Sequence, residues 1–230
     1  MHVLLQGIVG STAYGLAHAG SDLDRLGLFA APTGDLHGLH RPAESHVTTA
    51  PDRTLHEAAK WCRLALGGNP TASELVWLPE ELYEVRTALG EELIGLRRSF
   101  LSEGAVRRSY LGYAGQQFRK LANRDRTDTA GLARAAKHAR HLVRLVEQGL
   151  ALHETGEVVI RLADPERVRE LGERFAAEPE QAADLLAEAE RRFDRPGSLP
   201  AEPDEAPVEA WLRRVRAAHY APAGVPTRTG

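Results

Sequence analysis

Apolar residues follow two different spacings along this chain, one before and one after residue 88. In the first part, continuous or alternating apolar runs at residues 3–9, 22–30 and 44–49 predict three short strands. Apolar side chains at helical spacing over residues 55–66 then predict an amphipathic helix that ends at a pair of glycines. The first part therefore predicts a small sheet with flanking helices.

From residue 88 onward the apolar spacing is helical throughout. Leucine, alanine and valine recur three and four residues apart, which places them on one face of each helix. The predicted helices cover residues 88–101, 106–121, 130–152, 165–175, 180–193 and 206–218. The predicted connections are a polar loop at 123–129, a short strand or extended arm at 158–162, a linker at 195–207 and a disordered tail at 221–230. The pattern predicts an α+β protein: a small mixed β-sheet core with flanking helices, followed by an all-helical C-terminal region.

The composition is that of an ordinary water-soluble protein. Of the 230 residues, 43% are hydrophobic and 27% are charged. No apolar run approaches the roughly 20 residues of a membrane span, and the N-terminus begins directly with a strand rather than with a secretory signal. Cys62 is the only cysteine, so no internal disulfide can form. We therefore expect a cytoplasmic protein without membrane contact.

Charged residues are unevenly distributed along the chain. The net charge of −3 argues against a protein that coats nucleic acid. However, residues 97–145 carry 12 basic and 3 acidic side chains, against 6 and 12 in residues 1–96 and 11 and 17 in residues 146–230. This basic middle third is either a surface that faces phosphates near a carboxylate-bound metal or the solvated face of a helix.

A glycine-serine turn and a pair of aspartates carry the clearest chemistry. Gly10 and Ser11 interrupt the first strand before a turn or two of helix, which leaves backbone N–H groups and a hydroxyl free for phosphate oxygens. Asp22 and Asp24 lie two residues apart at the start of the second predicted strand, so their carboxylates leave the same face. Mg²⁺ prefers oxygen ligands and shares them with substrate phosphates. The stretch therefore predicts a site for a metal and a nucleotide.

The same stretch resembles the Gly-Ser…Asp-x-Asp signature of the DNA polymerase β-like nucleotidyltransferase superfamily. It is more closely similar to the RNA-ligase-associated branch of predicted nucleotidyltransferases, in which a Tyr-Gly pair follows the Gly-Ser. Two further blocks extend the resemblance over residues 1–195: Gly68-Asn69-Pro70-Thr71 with residues 74–79, and residues 137–145 with Glu154-Thr155-Gly156. A functional role for Asn69 or Glu74 rests on this resemblance alone.

The resemblance implies a third carboxylate on a neighbouring strand, which accepts the proton of the attacking hydroxyl or binds a second metal. Asp52 matches that position best, with Glu44 as the fallback. The rival interpretation of Asp52 is a helix cap, because Pro51-Asp52 precedes a helix-like stretch. Asp22, Asp24 and Asp52 are thus the predicted catalytic residues and ligands of Mg²⁺ or Mn²⁺.

The longest predicted helix carries Lys137, His141 and Arg144 at spacings of four and three, so the three side chains emerge on one face. Such a row suits a triphosphate chain, with lysine as a point charge and arginine as a bidentate clamp. The alternative is a basic solvent-exposed face. With the resemblance, these three residues join Gly10, Ser11 and Tyr14 as the predicted nucleotide-binding set.

The sequence thus predicts a metal-dependent nucleotidyltransferase that moves an NMP from an NTP to a hydroxyl acceptor, with release of pyrophosphate. The predicted division is a nucleotidyltransferase core at 1–87, a helical region at 88–195, and a linker, short helix and tail at 196–230. The association with RNA ligases makes an RNA end a candidate acceptor. The alternatives are a non-catalytic binder of nucleotides or RNA ends and an enzyme that adds AMP to a protein partner. The choice of NTP and the oligomeric state stay open.

Overall fold

Five strands form one mixed sheet in the N-terminal part of the chain. The computed structural model describes residues 1–124 and 128–220. The strands are β1 His2–Ile8, β2 Arg25–Ala30, β3 Ser45–Thr49, β4 Asp52–Glu57 and β5 Tyr83–Arg86. They lie in the order β3-β4-β2-β1-β5, and all neighbours are antiparallel except β2 and β4, which are parallel. The three predicted strands are confirmed. β4 was not predicted, and neither was β5, whose four residues are too short for a clear pattern.

Nine helices are described within residues 1–124 and 128–220. They are α1 Gly10–Tyr14, α2 Ala58–Leu66, α3 Pro70–Glu74, α4 Ala88–Gly95, α5 Glu103–Ala122, α6 Thr129–Thr155, α7 Pro165–Ala177, α8 Pro179–Phe193 and α9 Glu205–Ala218. Short 3-10 turns occur at Thr33–His37, Leu75–Trp77, Glu80–Leu82 and Arg97–Phe100. The mixed α+β class with helices following the sheet is confirmed. Part of the predicted loop at 123–129 and the whole predicted tail at 221–230 lie outside the described residues.

Two predicted boundaries were wrong near the sheet. Residues 55–57 belong to β4 rather than to a helix, because all three pair with β2, and Leu55 and His56 also pair with β3. The α2 helix begins later, at Ala58, and its cap is Glu57, whose Oε2 accepts the N–H of Ala59 at 2.8 Å. The second strand starts at Arg25, so Asp22 and Asp24 lie in the irregular segment that leads into it.

Residues 158–162, the predicted short strand or extended arm after α6, form neither a strand nor a helix, and their backbone is hydrogen-bonded to α6. Gln148 Nε2 donates to the carbonyl oxygen of Val159 at 3.1 Å, and the side chains of Val158 and Ile160 are buried. This segment is therefore fixed against the body of the protein.

The sheet and the helical region share one hydrophobic core. Buried side chains from β1, α2, α6 and α9 belong to a single cluster that extends from Leu4 to Val215. The α9 helix returns to the N-terminal part, where the wholly buried Trp211 donates its indole N–H to Leu89 O at 2.9 Å. Arg216 on the same helix pairs with Glu57 at 2.5 Å. The predicted three-part division stays a prediction.

No helix within residues 1–124 and 128–220 combines the length and apolar character that crossing a bilayer requires.

Candidate active site

The end of β1 and the starts of β2 and β4 lie side by side and form one edge of the sheet, and a predicted site residue lies at or next to each of them. Ile8 at the end of β1 pairs with Arg25 at the start of β2, which pairs in turn with Arg53 on β4. Asp24 directly precedes Arg25, and Asp52 directly precedes Arg53. The register therefore places Asp24 beside the turn that follows β1, and Asp52 beside Asp24 on the far side of β2.

Gly10 and Asp24 are in close contact at this edge. The backbone N–H of Val9 donates to Asp24 O at 3.0 Å, which ties the two segments together. Gly10 has a φ of 69°, and a Cβ atom there would lie only 2.2 Å from Asp24 Oδ2. Glycine is thus required both for the left-handed backbone and for the approach of the carboxylate.

The carboxylates of Asp22, Asp24 and Asp52 act on one another. Burial raises the pKa of Asp24 above its usual value, and the negative charges of Asp52 and Asp22 raise it further. Within residues 1–124 and 128–220, none of the three carboxylates forms an ion pair with a protein cation. This edge of the sheet therefore carries negative charge that no ion pair with a described side chain compensates.

Such a donor set suits a hard divalent cation. Mg²⁺ commonly takes one or two carboxylates from the protein and completes its octahedron with water and substrate phosphates. Among the described residues, no three His, Cys, Asp or Glu side chains are already grouped as a metal site. The three aspartates could therefore hold Mg²⁺ or Mn²⁺ together with a bound substrate, rather than as a closed protein cage.

The two rival interpretations of the third carboxylate do not fit the fold. Asp52 begins a strand rather than a helix, so it is not a helix cap. Glu44 lies at the opposite end of β4, where its carbonyl oxygen accepts the N–H of Glu57 at 2.9 Å and its carboxylate pairs with Arg63 at 2.6 Å. Asp52 is the acidic side chain that the structure brings towards Asp24.

Behind the turn, Tyr14 of α1 belongs to a buried polar network. Arg144 Nη1 donates to Glu74 Oε1 at 2.6 Å, and Tyr14 Oη donates to Glu74 Oε2 at 2.6 Å. The Arg144 guanidinium also lies 4.1 Å from the centroid of the Tyr14 ring. Burial raises the pKa of the Tyr14 hydroxyl well above its usual value, so the hydroxyl remains a donor.

This network changes the prediction for the row on α6. Lys137 is exposed, His141 is half-buried, and Arg144 is buried with 3% of its surface accessible. Arg144 donates to Glu74, to Gln148 Oε1 at 2.5 Å and to His141 Nε2 at 2.9 Å. A phosphate clamp by Arg144 is therefore not available unless these bonds break first.

One exposed cation, Lys137, acts on the carboxylate of Asp24. The charge of Lys137 lowers the pKa of Asp24, in opposition to the burial and the two carboxylates that raise it. Lys120, Arg124 and Lys137 all lie near His138. Burial lowers the pKa of this histidine, and the charges of the three cations lower it further. We call these three residues the α5–α6 basic surface. Within the part of the chain that the structure describes, none of them forms an ion pair.

Residues 1–195 match a family model described as the RNA repair pathway DNA polymerase beta family. This chain belongs to that family. The match covers most of the chain and includes the sheet, the Gly10-Ser11 turn, the three aspartates and α6. No protein of curated function matches the sequence.

The RNA repair pathway DNA polymerase beta family is a group of polymerase β-like nucleotidyltransferases, as the resemblance in the sequence implied. The structure brings together Gly10, Asp22, Asp24 and Asp52, with Lys137 beside them. Ser11 follows Gly10, and its hydroxyl has no hydrogen-bond partner among the described residues.

Sequence reasoning missed two features of this family member. Lys120 and Arg124 appeared only as part of a basic stretch, and their closeness to Lys137 depends on how α5 packs on α6. The buried pairing of Glu74 with Arg144 joins residues 70 positions apart, which no spacing pattern reveals.

Proposed function

We propose that this protein transfers an NMP from an NTP to a hydroxyl group of an RNA end, with release of pyrophosphate. The proposal rests on one observation above all. Asp24 lies against Gly10, the charges of Asp22 and Asp52 act on it, and no described protein cation forms an ion pair with any of the three carboxylates. Carboxylates without a protein counter-charge fit a site that is completed by a bound cation.

The chain's own residues would bind and orient the reactants. The Ser11 hydroxyl and nearby backbone N–H groups receive the β- and γ-phosphates, and Lys137 adds positive charge on the side of Asp24. The acceptor hydroxyl oxygen forms a bond to the α-phosphorus while the bond from this phosphorus to the bridging oxygen breaks. Asp52 takes the hydroxyl proton, and pyrophosphate leaves with the bridging oxygen.

Asp22 and Asp24 would hold Mg²⁺ or Mn²⁺, with Asp52 as the third ligand. When bound, such ions stabilise the charge that develops on the attacking and leaving oxygens of an in-line displacement. Burial raises the pKa of Asp24 most, and repulsion from Asp52 and Asp22 raises it further; a bound cation would relieve that repulsion, which supports this assignment.

The α5–α6 basic surface supports RNA as the acceptor. A triphosphate needs few cations, whereas a polynucleotide backbone extends away from the reaction centre and gains from each cation along it. Lys120 near the end of α5 and Arg124 just after it are exposed, and both act with Lys137 on His138 of α6, so the positive charge of this surface is larger than that of Lys137 alone. The family's description, which names RNA repair, points the same way.

The test is transfer of label from α-labelled NTPs, each offered with Mg²⁺ or Mn²⁺ to RNA ends, tRNA, small hydroxyl compounds and cell extract. We expect label on RNA, lost in Asp22→Asn and retained in Asp35→Asn, an exposed aspartate in the turn that follows β2. Label on a protein would replace RNA with a protein acceptor. Tight NTP binding without any transfer would favour a non-catalytic binder.

A second experiment tests the acceptor separately. Lys120→Glu with Arg124→Glu should weaken binding of a fluorescent RNA about tenfold or more and flatten its salt dependence by about one unit per lost phosphate contact. Each single change, Lys120→Glu and Arg124→Glu, is also compared with Arg213→Glu on the exposed face of α9, which alters the net charge by the same amount. Equal effects of the single changes on the α5–α6 basic surface and of Arg213→Glu would refute the assignment of this surface.

A further inference from the structure

Arg144 is a cation that the proposed chemistry does not use directly. Its guanidinium is buried and hydrogen-bonded both to Glu74 and to His141. Glu74 links it to Tyr14 on α1, and Nη2 donates to His141 Nε2 at 2.9 Å. Gln148 further connects it to the segment after α6. Arg144 thus connects α1, which contains the Gly10-Ser11 turn, with His141 on α6.

The bond between Arg144 and His141 determines where the imidazole carries its proton. A guanidinium has five N–H donors and no acceptor. Nε2 of His141 must therefore offer its lone pair, and the single proton of the neutral ring is on Nδ1. The Nδ1–H group has no hydrogen-bond partner among the described residues, and the half-buried ring lies one helical turn from Lys137.

The charges around His141 keep the ring neutral. Burial lowers its pKa to about 3, and the neighbouring charges act in the same direction. These are Arg144, His138 and Lys137 on α6 and Lys120 on α5. A neutral N–H donor can contact a phosphate oxygen without adding a further positive charge to this group.

We propose that Arg144 is a positioning residue, which holds His141 as the neutral Nδ1–H tautomer and so presents that N–H to the phosphates of the bound NTP. The phosphate contact rests on the proposed function, whereas the tautomer of His141 does not. It assigns His141, rather than Arg144, as the phosphate contact of the α6 row. Lys137 supplies the charge, and His141 supplies a directed hydrogen bond.

The first arm of the test needs no substrate. Long-range ¹⁵N–¹H correlation spectra distinguish the two imidazole tautomers and the charged ring. We expect His141 to show the Nδ1–H pattern without titrating between about pH 5 and 8. The double variant Glu74→Gln/Arg144→Met removes the ion pair without leaving a buried charge, and there His141 should titrate closer to its ordinary value of about 6.5. An Nε2–H ring, or ordinary titration in the unmodified protein, would overturn the proposal.

The second arm measures binding of Mg²⁺–NTP by calorimetry. His141→Asn keeps an N–H donor at the position of Nδ1, whereas His141→Phe removes it and keeps the ring volume. We expect Phe to weaken NTP binding about tenfold or more, as for a hydrogen bond to a charged group, and Asn to remain within about threefold. Equal affinities for the two variants would refute the phosphate contact.

The two arms separate failure of this inference from failure of the proposed function. If Asp22→Asn abolishes transfer but Phe and Asn bind NTP alike, the function stands and the His141 contact is wrong. If no variant transfers or binds an NTP, the proposed function fails and the phosphate contact fails with it. The tautomer spectra then still decide whether Arg144 holds the ring.

Discussion

Adding one methyl group at Gly10 should reduce activity far more than stability. The backbone there has a φ of 69°, which costs a residue with a Cβ about 1–2 kcal/mol. The new Cβ would also lie 2.2 Å from Asp24 Oδ2 and 3.1 Å from Cγ. The end of a carboxylate can rotate away from this clash, so Gly10→Ala should fold and lose only about 1–2 kcal/mol of unfolding free energy.

The activity should fall by much more. Ordinary contact between non-bonded heavy atoms begins near about 3.5 Å, so Asp24 must move its carboxylate by more than about 1 Å. A displacement of that size at a reacting centre costs about a hundredfold in rate. We therefore expect kcat/KM of Gly10→Ala to fall about a hundredfold, and the rise in Tm on addition of Mg²⁺ with NTP to shrink.

Gly156→Ala is the matched control. Gly156 also has a left-handed backbone, with φ of 74°, but the nearest atom to an added Cβ is Ser198 Oγ at 3.5 Å. It should lose a similar unfolding free energy in urea titration and keep kcat/KM within about twofold of the unmodified protein. If the two variants lose the same activity, the contact between Gly10 and Asp24 does not position a catalytic group.

Three further predictions follow from other charged and buried groups. Because the pKa of Asp24 is raised in the folded protein, the metal-free protein should lose stability as the pH rises from the ordinary aspartate pKa through the folded one. Asp24→Asn should abolish this loss of stability and lower turnover about a thousandfold. Arg216→Met leaves the buried Glu57 unpaired and should cost about 3 kcal/mol in urea titration, and a loss below about 0.5 kcal/mol would contradict this. Burial raises the pKa of Cys62 to about 12, so a thiol reagent should modify it only after unfolding, and rapid labelling of the native protein would disprove this.

The local parts of the site could be predicted from sequence because their information is local. The β1 strand, the Gly10 turn and the Asp22/Asp24 pair follow one another within a short stretch, where apolar runs and glycine have direct backbone meanings. Asp52 required the family resemblance. Local helix-start chemistry favoured a cap there, whereas pairing with β2 makes the segment a strand, and strand pairing depends on partners that are distant in sequence.

Depth along a helix could not be predicted from spacing. Spacings of four and three correctly place Lys137, His141 and Arg144 on one side of α6, but not the point at which that side enters the protein. Here the row passes from solvent at Lys137 to the interior at Arg144, where Glu74 is the counter-charge. The spacing of residues shows which face of a helix they share, but not which other elements pack against that face.

The return of α9 to the sheet has a consequence for synthesis of the chain. Trp211 and Arg216 complete the packing around α4 and Glu57, although β4 leaves the ribosome about 150 residues earlier. At about 5–20 residues per second, the unfinished N-terminal part waits about 7–30 s for its last helix. During that interval the apolar surface that Trp211 covers is open to solvent. The order of the elements along the chain therefore makes completion of the packing around α4 and Glu57 a late event, which waits for synthesis of α9.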